Sequence, residues 1–251
     1  MKKTVLIPVF LLFAVQVFQA QTADDVLKKY FECVGGIDKW KSMTSLRMTG
    51  NLVMPQGEFP FTLYRKAPNK FKIVIKIMDQ EIVPQAFDGE TGWMINPFAG
   101  GEGPQKLSED QTSALRDESE FEDPFIDYQN KGFVASYEGT GVAGGVQCNI
   151  IKLVKHKGIE GKEMSSYYYF DVENSLQIMI KQATPQTMGQ EVEIYMSDYQ
   201  ETGDGFLMPF VLDTQLDGQS IQKLSFSAIT INEDITDDVF RFPGETVPVV
   251  N

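Results

Sequence analysis

Carboxylates are the side chains through which this sequence offers most scope for chemistry. The chain of 251 residues carries 35 Asp and Glu against 22 Lys and Arg, with a single His. A glycosidase-type hydrolase needs two carboxyl groups at a set separation, but the spacing in the sequence singles out no pair. Most of the acids fit a solvated surface, as in the run Glu118, Glu120, Glu122 and Asp123.

The motifs of other catalytic classes are missing from the sequence. His156 lies between Lys155 and Lys157 beside Gly158, a setting typical of a solvated turn rather than of a general base. No Gly-x-Ser-x-Gly nucleophile motif occurs, and residues 100–103 lack the Lys-Ser/Thr ending of a phosphate loop. A single His also excludes a multi-His zinc site. We therefore expect a protein that is not an enzyme and that binds neither a cofactor nor a metal.

The two cysteines leave two alternatives open. Cys33 ends the predicted first helix, and Cys148 lies in a predicted strand just after Gly144 and Gly145. In an oxidising compartment they can form one structural disulfide. Otherwise they are two thiols that pack as small hydrophobic side chains. The sequence does not supply the Cα separation that a disulfide requires, so both alternatives stay open.

Composition and charge narrow the class of protein further. A formal net charge of −13 argues against a nucleic-acid partner, because such binding needs clustered Lys and Arg to displace counterions. With 42% hydrophobic and 23% charged residues, the chain can build a folded core. Its length suits a single all-β domain, which we expect to be a monomer.

Residues 1–20 have the layout of a secretory signal peptide. Lys2 and Lys3 precede an apolar run from Val5 to Val15, and Ala20 supplies a small residue at the junction. The run is shorter than the roughly 20 apolar residues that a spanning helix needs. Removal of this segment leaves 20 Lys and Arg against 35 Asp and Glu, a charge of −15. We expect export across an inner membrane and a soluble periplasmic protein of residues 21–251.

The exported chain is predicted to begin with helices. Thr22 and Asp25 have the spacing of a capping box, and Gly35-Gly36 ends the apolar helical pattern that follows them. A short second helix is expected to hold Trp40.

After the helices the apolar period changes from 3.6 to 2, the pattern of half-buried antiparallel strands. The clearest run is 70–77, where apolar side chains at the odd positions alternate with lysines. Asp88-Gly89 and Asp217-Gly218 are hairpin signals. In the last long strand the phase slips after Ala228, as a β-bulge produces. Together these features predict a mainly β fold, with a single meandering antiparallel sheet of roughly ten strands that is large enough to curl.

The strand pattern stops between Gly100 and Gly132. Ser108 and Gln111 form a second capping box, and Asp123-Pro124 places an N-cap before a Pro at the first helical position. Two short helices are therefore predicted, as a helical lid of about residues 105–131 over the concave face of the sheet.

The remaining signal is apolar and aromatic. The chain holds 18 Phe, 11 Met, 9 Tyr and 2 Trp. A wide curled sheet does not fill its interior with side chains alone and encloses a cavity. Methionine adds a polarisable lining that adapts to apolar ligands.

Three patches of sequence resemble the LolA family of periplasmic lipoprotein carriers. Residues 67–71 read Ala-Pro-Asn-Lys-Phe, and 88–98 read Asp-Gly-Glu-Thr-Gly-Trp-Met-Ile-Asn-Pro-Phe. These are similar to the paired Arg-Pro-Asn-x-Phe and Asp-Gly-x-Thr-x-Trp-x-x-Asn-Pro-Phe signatures of that family. The segment 237–243 is similar to its Phe-x-Phe-x-Pro ending. More narrowly, the chain resembles the outer membrane lipoprotein-sorting proteins of Bacteroidetes.

This resemblance implies an unclosed antiparallel β-barrel of the LolA/LolB type, with an N-terminal helix and a helical lid, that carries the acyl chains of lipoproteins. It also implies transfer partners at the inner and outer membranes. The family has an Arg directly before the Pro-Asn that helps to hold the lid closed. That position is Ala67 here, and strand parity makes Arg65 its possible substitute as a gating residue.

The predicted ligand site is a hydrophobic cavity, and no catalytic residue is assigned. For each strand residue, ordinary core packing is an equally good interpretation, and Trp93 and Phe98 are favoured by the motif. The predicted cavity residues are Phe61, Leu63, Phe71, Ile73, Ile75, Trp93, Ile95, Phe98, Phe125, Tyr128, Ile178, Ile180, Ile194 and Met196.

The sequence thus favours a non-enzymatic periplasmic carrier of lipidated proteins or related lipids, delivering them towards the outer membrane. A sensor of envelope lipids or stress, or an interaction module on the same fold, is the first alternative. A carboxylate-dependent hydrolase is the second.

Overall fold

A computed structural model describes residues 21–78, 80–97, 103–157, 163–183, 189–203 and 205–244. The predicted signal peptide, residues 1–20, and Phe98 lie outside the described residues. None of the helices in the described ranges has the length and apolar character that crossing a membrane requires.

Two helices open the described chain, as predicted. Helix α1, Ala23–Cys33, begins with the capping box: the Asp25 amide donates to Thr22 Oγ1 over 3.2 Å, and the Thr22 amide donates to Asp25 Oδ2 over 3.0 Å. The helix ends where Gly36 donates its N–H back to the Phe31 carbonyl. Helix α2, Ile37–Ser42, follows directly and carries Trp40.

The rest of the domain is one antiparallel sheet of 13 strands, rather than the ten that the pattern suggested. Two of the strands have only four and three residues, too few to show the alternation from which strands are predicted. The strands are β1 Ser45–Met54, β2 Gly57–Lys66, β3 Lys70–Ile77, β4 Gln80–Phe87, β5 Gly92–Ile95, β6 Pro104–Lys106, β7 Val134–Ala143, β8 Val146–Lys157, β9 Glu163–Asp171, β10 Gln177–Ala183, β11 Glu191–Glu201, β12 Leu207–Leu216 and β13 Gln219–Ile231.

The sheet order makes an unclosed barrel. Strands that follow each other in the chain pair with each other, apart from β6 and β7, and the first and last strands, β1 and β13, pair at the centre of the sheet. Strands β6 and β7 are the two edges, and they do not pair with each other among the described residues. Apolar side chains at alternate positions share one face of the sheet, called the concave face below, and residues of α1 and α2 pack against it.

The predicted bulge lies in β13. Thr49 of β1 pairs with Ala228 and Gly50 pairs with Phe226, so Ser227 is the extra residue on β13. The bulge keeps Leu224 and Phe226 on the same face as Ile229 and Ile231, which explains the slip in their sequence phase. Gly50 is required at this crossing, because a Cβ there would lie 2.0 Å from the Ser225 carbonyl oxygen.

The segment between β6 and β7, residues 107–133, is called the lid below. Its first predicted helix is confirmed as α3, Glu109–Glu118, with the capping box of Ser108 and Gln111. The prediction of a second helix after Pro124 is wrong: residues 124–132 are a chain of turns. Asp127 adopts a left-handed backbone with φ of 50°, which interrupts a right-handed helix after a single turn.

Candidate functional site

The concave face of the sheet carries a ladder of apolar side chains. Register places Phe61 of β2 opposite Ile75 of β3, and Leu63 opposite Ile73. The ladder continues through β1, β13 and β12, where Leu52, Leu224 and Leu212 lie in one row. The fully buried members are packed around Phe61 and Phe226, whose ring centroids are 5.7 Å apart.

Beyond this buried centre the ladder is only half-buried. These side chains are apolar, lie on the concave face and are partly exposed to solvent. They are called the apolar strip below. They are Met54, Phe59, Leu63, Ile73, Ile77, Leu212, Leu224 and Ile229.

A second cluster closes one end of the concave face. Phe125 of the lid packs edge-on against Tyr168 of β9 with centroids 4.6 Å apart, and Tyr30 of α1 packs against Phe170 at 5.0 Å. Tyr128 and Ile180 pack at its margin. Trp40 contacts both clusters and donates a 3.1 Å hydrogen bond to the Val34 carbonyl. The two clusters therefore form one continuous apolar surface under α1, α2 and the lid.

Arg65 joins the lid to the sheet. Its Nη2 donates a hydrogen bond to the backbone carbonyl of Glu120, and its guanidinium lies 5.7 Å from the centroid of the Phe121 ring. The Phe121 amide donates to the Pro68 carbonyl over 3.0 Å. Burial lowers the pKa of the Arg65 guanidinium, and the nearby Glu120 carboxylate opposes this shift. Arg65 thus contacts the lid, and its role as a gating residue stays a prediction.

Ion pairs lie beside the same junction. Lys131 Nζ lies 2.9 Å from Glu120 Oε1 and 3.0 Å from Glu122 Oε2, and both pairs are within the lid. Lys155 of β8 lies 3.8 Å from Glu120 Oε2 and joins the lid to the sheet. Farther along the lid, Lys41 Nζ and Asp127 Oδ2 are 2.9 Å apart. All of these pairs are partly exposed, so each contributes little by itself.

Asp123 is a buried carboxylate under the lid. It accepts the Phe125 amide at 2.9 Å, as a cap, and the Tyr30 hydroxyl at 3.4 Å. Burial raises the pKa of Asp123 to about 6, against the opposing effects of those two hydrogen bonds and of Lys131 and Lys155. Its contacts are those of a group that holds the lid against α1.

The structure brings together only part of the predicted cavity lining. Phe61, Leu63, Ile73 and Ile75 share the first cluster, and Phe125, Tyr128 and Ile180 share the second. Phe71 pairs with Arg65 and Phe87 on the same face. Ile194 pairs with Ile180, and Met196 pairs with Leu212. Ile178 packs instead against Ala143, Cys148 and Met179 in a separate cluster.

Trp93 and Ile95 lie on the opposite, convex face of the sheet. Trp93 has no exposed surface and packs with Val83 and Ala86, and Ile95 joins the same cluster. The Trp93 indole meets the Phe242 ring edge-on at 6.3 Å, and Lys72 lies 5.3 Å from the Trp93 centroid. The structure therefore separates these two residues from the concave ladder.

The three signature patches meet in space at this convex cluster. Residues 235–242, called the C-terminal strap below, cross β2, β3 and β5 on their outer side. Asp237 pairs with Lys66 at 2.8 Å and with Lys70 at 2.7 Å, and Lys72 donates to the Val239 carbonyl over 3.1 Å. The signature residues around Trp93 therefore make contacts that hold the C-terminal strap to the sheet. The sequence pattern did not predict the contacts between the strap and the sheet, because the contacting residues lie far apart in the chain.

The cysteines are free in the structure. Cys33 is exposed at the end of α1, with its Sγ 3.3 Å from the Asn174 carbonyl oxygen, and Cys148 is buried in β8. The structure thus has separate thiols, and the alternative of two thiols packed as small hydrophobic side chains holds for Cys148 but not for the exposed Cys33. The described residues contain no group of three or more His, Cys, Asp or Glu side chains arranged to hold a metal ion.

A cleft of about 510 Å³ lies outside the concave face, between α1 and the lid. Its walls are apolar at depth and charged at the rim. Leu27, Phe31 and Phe125 form the floor, and Asp24 and Glu32 are among the rim residues.

Comparison with solved structures, rather than with protein sequences, shows which known fold the chain has. No protein-family model matches the chain, and no curated protein matches its sequence. Among solved structures, a LolA superfamily protein, NE2245, from Nitrosomonas europaea superposes with a TM-score of 0.56 at 12% identity, over 88% of this chain and 98% of that one. A putative outer membrane lipoprotein-sorting protein domain from Vibrio parahaemolyticus gives 0.54 at 10% identity, over 86% and 94%.

A third likeness is to a DUF1329 family protein from Desulfovibrio piger, with a TM-score of 0.53 at 12% identity over 86% of this chain and 97% of that one. At these identities the likeness shows the fold alone. The chain has a LolA-like fold, an unclosed antiparallel β-barrel with few helices. The narrower resemblance to the Bacteroidetes proteins stays a prediction.

Proposed function

We propose that this protein is a non-enzymatic periplasmic carrier that binds the acyl chains of lipoproteins or related lipids on its concave face. The observation that carries the proposal is the half-buried apolar strip, which continues from a buried centre and ends under a lid anchored by Arg65. An acyl chain of about 16 carbons gains on the order of 12 kcal/mol on leaving water, at roughly 0.8 kcal/mol per CH₂. Such a chain crosses an aqueous compartment only when it is shielded.

Loading requires the lid to move. In the closed arrangement the centre of the concave face is filled by its own side chains, Phe61 and Phe226 among them. The polar contacts that join the lid to the rest of the domain include those of Arg65 and Lys155 with Glu120 and that of Lys41 with Asp127. Opening the lid exposes apolar side chains that an acyl chain then covers, so that ligand binding offsets the cost of opening.

A binding assay with a fluorescent fatty acid tests the proposal. Ile73→Glu places a charge in the half-buried strip and is expected to weaken binding at least tenfold, because an acyl chain does not compensate a desolvated carboxylate. Ile221→Glu is the matched control: Ile221 is 37% exposed, lies at the register shift between β12 and β13 and belongs to none of the apolar clusters, so we expect binding to stay unchanged. Equal binding by both variants, with both folded by circular dichroism, would contradict the proposed site.

The cargo is identified by native mass spectrometry of the protein purified from a periplasmic extract. A bound mass that matches a lipoprotein would support lipoprotein transport, and a phospholipid or fatty acid would support a general lipid carrier. Protein that is empty and takes up no added acyl probe would refute the carrier proposal.

A second candidate function is an interaction module, which is favoured by the 510 Å³ cleft between α1 and the lid. The cleft has the size of a binding site and lies apart from the apolar strip. Stable co-purification with a membrane-anchored regulator, lost on Glu32→Lys at the cleft rim, would support this function over the carrier.

A further inference from the structure

Arg65 lies at the inner end of the apolar ladder, and this position has a consequence for the ligand. On β2 the side chains of Phe59, Phe61, Leu63 and Arg65 all point to the concave face, because every second residue of a strand shares a face. Leu46 and Phe71 are the register partners of Arg65 on the neighbouring strands. A charged guanidinium thus has apolar side chains on both neighbouring strands and the Phe121 ring beside it, where burial costs free energy unless an acceptor is present.

The lysines nearest this junction have carboxylate partners. Lys131 contacts Glu120 and Glu122, and Lys155 contacts Glu120. Arg65 forms no ion pair within salt-bridge distance among the described residues, and its hydrogen bond goes to the neutral backbone carbonyl of Glu120. A guanidinium has five N–H donors in a planar fork that fits a carboxylate. Arg65 therefore has donors to spare at the end of an apolar surface.

The distance along the ladder suits an acyl chain. From Phe59, near the β1–β2 turn, to Arg65 is six residues, or about 20 Å at roughly 3.3 Å per strand residue. That span is comparable with an extended long-chain fatty acid. A chain laid along the half-buried strip would place one end at the turns of the sheet and the other at the guanidinium.

We propose that Arg65 binds the carboxylate of a long-chain fatty acid whose hydrocarbon tail lies along the concave ladder. This inference rests on the proposed function and deepens it, because it assigns the ligand class as a single-chain anionic amphiphile bound with its headgroup innermost. A lipoprotein has no such free headgroup at its acyl end, so the two kinds of cargo make different demands on Arg65.

The same contact couples the ligand to the lid. A carboxylate offers the Arg65 guanidinium an opposite charge and two acceptor oxygens that match its planar fork, whereas the Glu120 carbonyl offers one neutral acceptor. The headgroup therefore competes with the Glu120 carbonyl for the Arg65 donors. Binding of the acid releases the lid at its anchor, whereas a neutral ligand of equal chain length leaves that anchor in place.

Two probes of equal chain length test the inference: palmitate, which is anionic at neutral pH, and hexadecanol, which is neutral. Each is titrated against the purified protein in competition with a fluorescent acyl probe. We expect the wild type to bind palmitate at least about tenfold more tightly than hexadecanol, as expected for a hydrogen bond to a charged group. In Arg65→Gln, which keeps an N–H donor for the lid carbonyl but loses the charge, we expect this ratio to fall to about one.

Two further variants separate the effect of the Arg65 charge and fork from an unspecific effect of losing an arginine. Arg65→Lys retains the charge without the fork and is expected to keep part of the ratio. Arg47→Gln is the matched control, since Arg47 lies on the convex face of β1 beside Glu233, and it should leave the ratio unchanged. Thermal melting curves establish that each variant is folded.

The outcomes separate the two proposals. Equal binding of both probes by the wild type, or an equal loss of both in Arg65→Gln, would overturn the headgroup contact while leaving an acyl carrier intact. Binding of neither probe would overturn the proposed function, and this inference with it.

Discussion

The indole Nε1 of Trp93 donates a 2.7 Å hydrogen bond to the carbonyl oxygen of Phe240, a residue 147 positions later in the chain. Both side chains have no exposed surface. This bond fixes the C-terminal strap to β5 on the side of the sheet away from the apolar ladder. The buried indole N–H needs an acceptor, and the strap supplies it, so the pair stabilises the fold rather than contacting a ligand on the concave face.

Phe240→Ala should therefore destabilise the domain strongly. Removal of a fully buried Phe side chain costs about 3–5 kcal/mol through lost burial and the cavity left behind. Urea unfolding followed by Trp fluorescence measures the change. Val134→Ala is the control, because Val134 is 61% exposed on the edge strand β7, and its effect should stay within about 0.5 kcal/mol. A loss below about 1 kcal/mol for Phe240→Ala would show that the strap is dispensable.

The strap also predicts an acid-sensitive contribution to stability. Hydrogen bonds from Lys66 and then Lys70 lower the pKa of Asp237 to about 2. A carboxylate whose folded pKa lies below its unfolded value near 4 stabilises the fold above that value, and the contribution is lost as the pH falls towards 2. The stability difference between the wild type and Asp237→Asn should thus shrink between pH 5 and pH 2. A difference that stays constant over this range would exclude the two lysine contacts as its source.

Much of the fold could be predicted because its signals are local. The capping boxes at Thr22 and Ser108, the period of two in β3 and the slip at the β13 bulge each involve residues within a few positions of one another. The helix predicted after Pro124 failed because Asp127 adopts a left-handed backbone, which a favourable N-cap does not prevent.

The site was harder to predict, because alternation shows that two faces exist but not which one a short strand turns inward. Trp93 illustrates the limit: β5 has four residues, and the face on which Trp93 lies is set by its pairing with Ala86 and by the distant strap. The face of Arg65 follows more simply from the sequence, because β2 has ten residues and its alternation is unambiguous.

The crossing of β1 and β13 should be sensitive to a single methyl group. In Gly50→Ala the new Cβ would lie 2.0 Å from the Ser225 carbonyl oxygen, so a backbone has to move. We expect a loss of at least about 2 kcal/mol in the free energy of unfolding, in the range of overpacking. Gly203→Ala is the control, as its Cβ would have no neighbour within 4 Å. Equal stability of the two variants would contradict the close approach of the strands.

Asp123 predicts a pH dependence of opposite sign to that of Asp237. Its folded pKa is raised to about 6 by burial, so the folded protein binds a proton more tightly than the unfolded chain does. Stability is then greatest below the unfolded pKa near 4 and is lost as the pH rises through 6, by about 2–3 kcal/mol at roughly 1.4 kcal/mol per pKa unit.

Asp123→Asn should remove this loss, because an amide keeps an acceptor for the Phe125 amide and carries no charge. Unfolding curves at pH 4.5 and 7.5 should therefore differ in the wild type, with the wild type more stable at the lower pH, and differ less in the variant. Asp127→Asn is the matched control, since its carboxylate is exposed on the same lid and pairs with Lys41. If the wild type and Asp123→Asn show the same change in stability between pH 4.5 and pH 7.5, protonation of the Asp123 carboxylate is not coupled to folding.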